Sequence, residues 1–413
     1  MIVKPFAALR PQKKYVKECA ALPYDVMSSN EAREEVKGKP YSFLHIDKAE
    51  IDLDPSVDLY DDAVYAKAAE NLREFERIGV YQQDTRKKFY FYRQTMDGRG
   101  QTGIVGCVSI DDYLTEKIKK HELTRADKEL DRIRHVDTCS AQTGPIFLAY
   151  KKSAALDEIL AIETAKTPLY NFLSDDGIEH TVWETSSPAV DVAIEKAFIG
   201  LSELYIADGH HRAASAVKAG LKRREANLGY DGTEEFNYFL SVIFPADSLK
   251  IFDYNRLLRD LNGMSIEQFL DMVENALGEV QEISGKEPYR PESVHTVGLY
   301  VGGKWYKVTF RDEICNDNSP SNRLDCAILQ KCLLAPVLGI EDPRTDNRID
   351  FVGGIRGLKY LEKCCENDFV AAIAMYPVTM DELTAVADVG EIMPPKSTWF
   401  EPKLRSGIFI HKI

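Results

Sequence analysis

The segment Leu204-Tyr205-Ile206-Ala207-Asp208-Gly209-His210-His211-Arg212 constrains this chain more than any other. Its four apolar residues read as a short buried strand, Gly209 permits a tight turn, and the alanine-rich stretch His211–Arg224 has the composition of a helix. Such a junction fits an α/β architecture with mixed sheets. It aims the unpaired N–H groups of the first helical turn outward, at the positive end of the helix dipole. Gly209 lets a phosphate approach the backbone, while His211 and Arg212 supply directed donors. Asp208 either holds a divalent cation, orients a histidine or caps the helix. His210 and His211 are poorly placed to share a zinc ion, because adjacent helical residues point about 100° apart.

The rest of the composition narrows the class. With 413 residues the chain is long enough for two or three packing units and needs no disulfide staples. A net charge of −14 argues against a nucleic-acid footprint, though a local pocket for small anions remains compatible with it. The longest uncharged stretch, Thr138–Tyr150, is too short to cross a bilayer and contains Gly144-Pro145, so no membrane partner is expected. The first residues lack a secretory signal pattern. The eight cysteines show no CxxC pair and no zinc spacing, and vicinal Cys364-Cys365 reads as two buried thiols in a helix. A reduced, cytoplasmic setting fits these features. Oligomeric state is left open.

Three regions are expected: an N-terminal α/β region (1–104), a central phosphate-binding region (105–260) and a C-terminal α/β region (261–413) that completes the pocket. In the first, Phe6–Leu9 and Tyr41–Ile46 read as strands, and Ser28-Ser29 caps a short helix through Val36. Val64, Ala68, Leu72 and Phe75 recur at helical spacing, with Gly79 ending that helix. Two β-rich runs flank Asp97-Gly98, a hairpin signal. Further on, Ile146–Tyr150 is an apolar run, Phe239–Phe244 reads as a strand, Ala154–Ala165 and Ile266–Leu277 read as helices, and Cys326–Leu338 reads as helical.

Other stretches carry candidate chemistry. Glu122 lies in the polar run from Lys119 to Arg125, and a carboxylate beside a bound phosphoryl group can accept the proton of an attacking hydroxyl. Arg125, Asp131 and Arg132 nearby suit either an ion-pair network or ligand contact. Pro394-Pro395-Lys396-Ser397-Thr398 with Lys403 forms a basic stretch that would clamp a phosphate or carboxylate, or simply make a rigid turn. Gly353-Gly354-Ile355-Arg356-Gly357 would cradle an anion or allow tight packing. Asp25 is a second candidate metal or substrate ligand, or a turn-forming residue.

Several of these stretches together resemble the Domain of Unknown Function 1015 family over essentially the full chain. They are LPYDV at Leu22–Val26, HELT at His121–Thr124 followed by Asp131-Arg132, ADGHHR at Ala207–Arg212, and PPKSTWFEPK at Pro394–Lys403. Leu22 departs from the family pattern, which begins with a second proline. The central region also resembles the ParB/sulfiredoxin fold, which binds nucleotide phosphates at a strand-turn-helix ending in Gly-x-[His/Arg]-Arg. The reactive cysteine of sulfiredoxins is replaced here by His210, and no helix-turn-helix of the ParB type is evident. Free serine kinases of this fold share the Asp-Gly-His-His-Arg motif and an upstream His-Glu, which match Asp208–Arg212 and His121-Glu122.

That resemblance implies phosphoryl transfer to or from a small hydroxyl metabolite, serine and phosphoserine, with ATP or ADP and Mg²⁺ as cofactors. The implied catalytic residues are Glu122 as base, with Asp208 and His210. Gly209, His211, Arg212, His121, Thr124, Lys396, Ser397, Thr398 and Lys403 would bind phosphate or substrate, and Asp208 and Asp25 would bind metal. Nucleotide hydrolysis and a nucleotide-binding regulatory role of the ParB type are the alternatives.

Overall fold

A computed structural model describes every residue except Lys286. It divides into two compact units, Met1–Leu249 with Pro402–Ile413, and Lys250–Glu401. Both are mixtures of helices and sheets, so the α/β class expected from the sequence holds.

The first unit is built on a nine-stranded mixed sheet. Its strands run in the order Ile118–Lys119, Leu204–Asp208, Ile146–Tyr150, Tyr238–Pro245, Arg99–Ser109, Tyr90–Met96, Glu179–Glu184 and Tyr170–Leu173, with Val3–Lys4 added against Arg99–Ser109. Two pairings are parallel, Leu204–Asp208 with Ile118–Lys119 and Tyr238–Pro245 with Ile146–Tyr150, and the rest are antiparallel. The central strands are buried along nearly their whole length, as expected for a sheet covered on both faces. Residues 1–104 and 105–249 share this sheet, since Arg99–Ser109 runs across both stretches.

Local sequence explains most elements. Asp97 and Gly98 both take positive φ (52° and 77°) and close the hairpin between Tyr90–Met96 and Arg99–Ser109 as a two-residue turn, which requires residues tolerant of that region. Ser28 caps the Ser29–Glu35 helix through a capping box with Glu31. Asp62–Arg77 buries Val64, Ala68, Leu72 and Phe75, and Gly79 follows it at φ 75°. The Ala126–Cys139 helix packs on His210–Ala226, to which Ser215, Lys218, Lys222 and Arg223 tie Glu129 and Asp137, while Gly220 lets the Phe236 backbone come close.

Two expectations fail. Tyr41–Ile46 is no strand; a turn leads into a short helix, Leu44–Asp47, that buries Phe43, Leu44 and Ile46. A short apolar run cannot by itself distinguish the two states, and tertiary burial decided. Phe6–Leu9 makes isolated bridges, Phe6 to Lys88 and Leu9 to Ile410, and the strand proper is Leu9–Pro11. Cys326–Leu338 is helical as far as Leu334, in two forms: Asp325–Leu329 is α-helical and Gln330–Leu334 widens into a π turn.

The second unit carries an antiparallel six-stranded sheet in the order Gly278–Glu282, Lys304–Phe310, Thr296–Val301, Ala371–Ala374, Tyr254–Leu258 and Ile349–Gly353. Leu358–Cys365 lies against it as a helix carrying Cys364 and Cys365, and none of the eight cysteines forms a disulfide.

Candidate functional site

The strand Leu204–Asp208 does not end in perfect register. Ile206 pairs with Leu148 and Asp208 with Phe147, so Ala207 is an extra residue in the ladder. A bulge of this kind re-aims the next side chain, and that side chain is Asp208. Gly209 follows at φ 92° and is the N-cap of the helix His210–Ala226. No side chain caps this helix, so its first-turn amides keep their donor capacity.

Asp208 is ionised and held from two sides. Its Oδ1 accepts the Gly209 N–H at 2.9 Å, and its Oδ2 lies 3.2 Å from Lys403 Nζ and 3.8 Å from Arg212 Nη2. Burial works against the carboxylate, but Lys403 and Arg212 outweigh it and bring the group to about 2. Lys403 comes from the basic segment near the C-terminus, whose contribution here is to Asp208.

Arg212 bends back over Gly209. A Cβ at position 209 would sit 3.1 Å from Arg212 Nε, so glycine is needed there for contact as well as for φ. Arg212 Nη1 donates to the Pro145 carbonyl at 2.7 Å, whereas buried Nε has no partner. Burial alone would lower this guanidinium's pKa, but the charges of Asp25 and Asp208 raise it. Exposed Asp25, in the short turn Tyr24–Val26, therefore belongs to the electrostatics of this corner.

The two histidines fasten the 121–125 segment to the helix. His210 Nε2 accepts the backbone N–H of His121 at 3.4 Å, and His211 Nε2 accepts that of Arg125 at 3.0 Å. Burial, reinforced by His121, holds His210 well below the usual histidine range, so its ring is neutral. With Nε2 accepting, its proton sits on Nδ1, which lies 3.7 Å from Glu122 Oε2. Glu122 is half exposed, with its side chain at 50%. His121 is 2% exposed and stands edge-on to the His210 ring at 4.5 Å; neither ring nitrogen has a close hydrogen-bond partner among the described residues, although the Ile206 carbonyl acts weakly on the ring. Burial pushes it down to about 4, against the pull of Asp208.

The remaining expected residues divide. Thr124 hydrogen-bonds Glu129, which also pairs with Lys218. Arg125 pairs with Asp127, and Arg132 with Asp131, realising the ion-pair reading of that stretch. Lys396, Ser397 and Thr398 lie in the second unit; Ser397 donates to the Pro394 carbonyl at 2.6 Å, closing a turn in which Lys396 has φ 58°. The Gly353–Gly357 turn serves packing, since a side chain at Gly353 would meet Trp399 and one at Gly354 would meet Asp253.

Sequence reasoning missed a small cavity of about 30 Å³ behind Arg212, lined by Tyr24, Asp47, Arg132, His135 and Thr143 among others. It is large enough for an ordered water or two. These residues are far apart in sequence, and only their polarity within apolar runs hinted at a shared environment. A resident divalent ion does not fit the corner. Both Asp208 oxygens are engaged, two cations flank them, and no group of three metal-ligating side chains occurs among the described residues.

A family model described as protein of unknown function (DUF1015) matches residues 3–327. No curated protein matches the chain. Among solved structures, a free serine kinase in complex with AMP is 17% identical, with 71% of this chain and 86% of that chain covered and a TM-score of 0.36. A conserved hypothetical protein from Pyrococcus furiosus is 18% identical over 73% and 93%, at TM-score 0.35. SbnI with C-terminal truncation, from Staphylococcus aureus, is 12% identical over 74% and 85%, at TM-score 0.38. No helix among the described residues is long and apolar enough to cross a membrane.

Proposed function

The chain belongs to the DUF1015 family, and from the Asp208–Arg212 corner we propose that it is a phosphoryl-transfer enzyme acting on a small hydroxyl metabolite, with serine and phosphoserine the favoured pair. One observation carries the anion-binding part. An uncapped helix N-terminus meets two buried side chains with unspent hydrogen-bonding capacity, the His121 ring and Arg212 Nε. Buried polar atoms are rarely left unmatched, and those that are mark a missing partner. A phosphate oxygen would accept from the first-turn amides, from Arg212 Nε and from whichever His121 nitrogen carries the proton.

Glu122 supplies the base. In the kinase direction the serine hydroxyl oxygen bonds to phosphorus as the bond from phosphorus to the leaving nucleotide oxygen breaks, and the hydroxyl proton passes to the Glu122 carboxylate. Neutral His210, its Nδ1 near Glu122, positions that carboxylate without neutralising it. Asp208 keeps Gly209 N–H and Lys403 in place and is a positioning residue. The choice of serine, and of ATP or ADP as nucleotide, rests on the Asp-Gly-His-His-Arg and His-Glu patterns shared with free serine kinases. The test is purified protein incubated with serine plus ATP or ADP, and separately with phosphoserine, read by mass spectrometry. Phosphoserine from serine, or serine from phosphoserine, supports the reading; neither product in either direction removes the substrate assignment.

A further inference from the structure

The second unit holds a larger cavity, about 370 Å³, lined by Arg256, Cys326, Gln330, Leu334, Phe351 and Pro394 among others. That volume is within the range of small-molecule sites. Arg256 projects from the buried strand Tyr254–Leu258 and is only 4% exposed. Its Nη1 donates to the Tyr254 carbonyl, its Nη2 to the Lys396 carbonyl at 3.4 Å, and its guanidinium lies 5.4 Å from the centre of the Phe351 ring. No carboxylate pairs with it among the described residues. A buried arginine ordinarily has an anionic partner, because carbonyl dipoles and an aromatic face do not repay the loss of water around a full charge.

A second polar group in the cavity is also unmatched. Gln330 sits at the start of the π turn, and its Nε2 donates to the Ile340 carbonyl at 2.7 Å. That fixes the amide, leaving Oε1 buried with no partner. A cation without a carboxylate partner and an unmatched acceptor thus belong to two residues that line one cavity. The carboxylates near the mouth do not fill the role. Asp342 is taken by Arg344 in a two-pronged pair with distances of 2.9 and 2.8 Å, and Glu341 is exposed.

We propose that this cavity binds a small oxyanion, a carboxylate or phosphate, that also carries an N–H or O–H donor, with Arg256 holding the anion and Gln330 Oε1 accepting from the donor. The turn at Pro394–Ser397 is then part of the wall of the site through Pro394, Pro395 and the Lys396 carbonyl. The inference stands on the second unit alone and does not require the Asp208–Arg212 reading.

The test is hydrogen–deuterium exchange by mass spectrometry on the full chain, with inorganic phosphate, L-serine and O-phosphoserine as separate probes. At least one probe should slow exchange in segments 326–344 and 394–398. The protection should survive in Arg212→Ala and be lost in Arg256→Met. The three probes also separate the sources: phosphate alone protecting assigns a phosphate site, L-serine alone a carboxylate site. Arg256→Met further separates binding from a structural role, because removing an unpaired buried charge leaves the ligand-free melting temperature unchanged or raises it. Gln330→Met, which keeps the cation, should weaken the probes that carry a donor by about tenfold, the worth of one hydrogen bond. Wild-type protein showing no protection of these segments by any probe overturns the proposal. So does protection that persists in Arg256→Met, or an Arg256→Met chain that melts well below wild type.

Discussion

Arg212 in the first unit and Arg256 in the second both have nearly buried side chains, and the two are solved differently. Arg212 sits among carboxylates: Asp208 is 3.8 Å away, Asp25 adds its field, and the pKa rises despite burial. Arg256 has carbonyls, an aromatic face and an open cavity, and burial lowers its pKa against the opposing pull of Cys326, Tyr254 and Asp325. The first is a cation balanced before any ligand arrives, with one N–H to spare. The second is a cation whose balance is incomplete. A charge network gives precise placement of a few atoms, which suits chemistry; an unbalanced charge in a cavity gives affinity, which suits binding.

The largest effect should separate chemistry from binding in the first unit. Glu122→Gln is expected to lower phosphoryl transfer by about 10²–10⁴-fold while ligand affinity and melting temperature stay near wild type, since the side chain is half exposed. Wild-type turnover in this variant removes Glu122 as the base.

The contrast between the arginines is sharpened by the same substitution at the first. Arg212→Met removes one of the two cations beside Asp208 and leaves the Pro145 carbonyl without its donor, which should cost about 1–3 kcal/mol in denaturant unfolding, the penalty for buried groups left short of a partner. Arg256→Met should not. Equal losses at both positions would dissolve the comparison.

A pH series probes the buried His121 ring beside His210. His121 is neutral in the fold, with its pKa lowered to about 4, whereas the unfolded chain protonates it near 6.5. Between those values the unfolded state binds the extra proton, so stability falls as pH drops from about 6.5 towards 4, by on the order of 3 kcal/mol from this group. His121→Gln should flatten that part of the profile; an unchanged slope would show that His121 does not contribute to it.

The smallest effect concerns the turn. Gly209→Ala forces a side chain to φ 92° and against Arg212, which should cost about 1–2 kcal/mol of stability and weaken anion binding. A neutral outcome in both assays would mean the turn relaxes freely.

The junction from Leu204 to Arg212 was legible because each of its cues is local: a β-prone apolar run, a glycine, then alanines. The Asp97-Gly98 hairpin and the Ser28 cap were readable for the same reason. The bulge at Ala207 was not, because it exists only in the pairing with Phe147 and Leu148. Tyr41–Ile46 misled because its apolar residues suit a short helix as well as a strand. Lys403 was picked out as part of a basic stretch, but its partner, Asp208, lies far away in sequence. Arg256 went unnoticed, although an arginine inside the β-prone stretch Tyr254–Leu258 was the available signal; its meaning depends on a cavity assembled from five separate stretches.

The central claim is that the helix starting at His210 holds an anion through Arg212. Titration calorimetry of phosphoserine and of ADP against wild type and Arg212→Ala tests it most directly. The expected loss is about 1.5–3 kcal/mol for at least one of the two ligands, the worth of a charge-assisted hydrogen bond. Unchanged affinity for both would contradict the account.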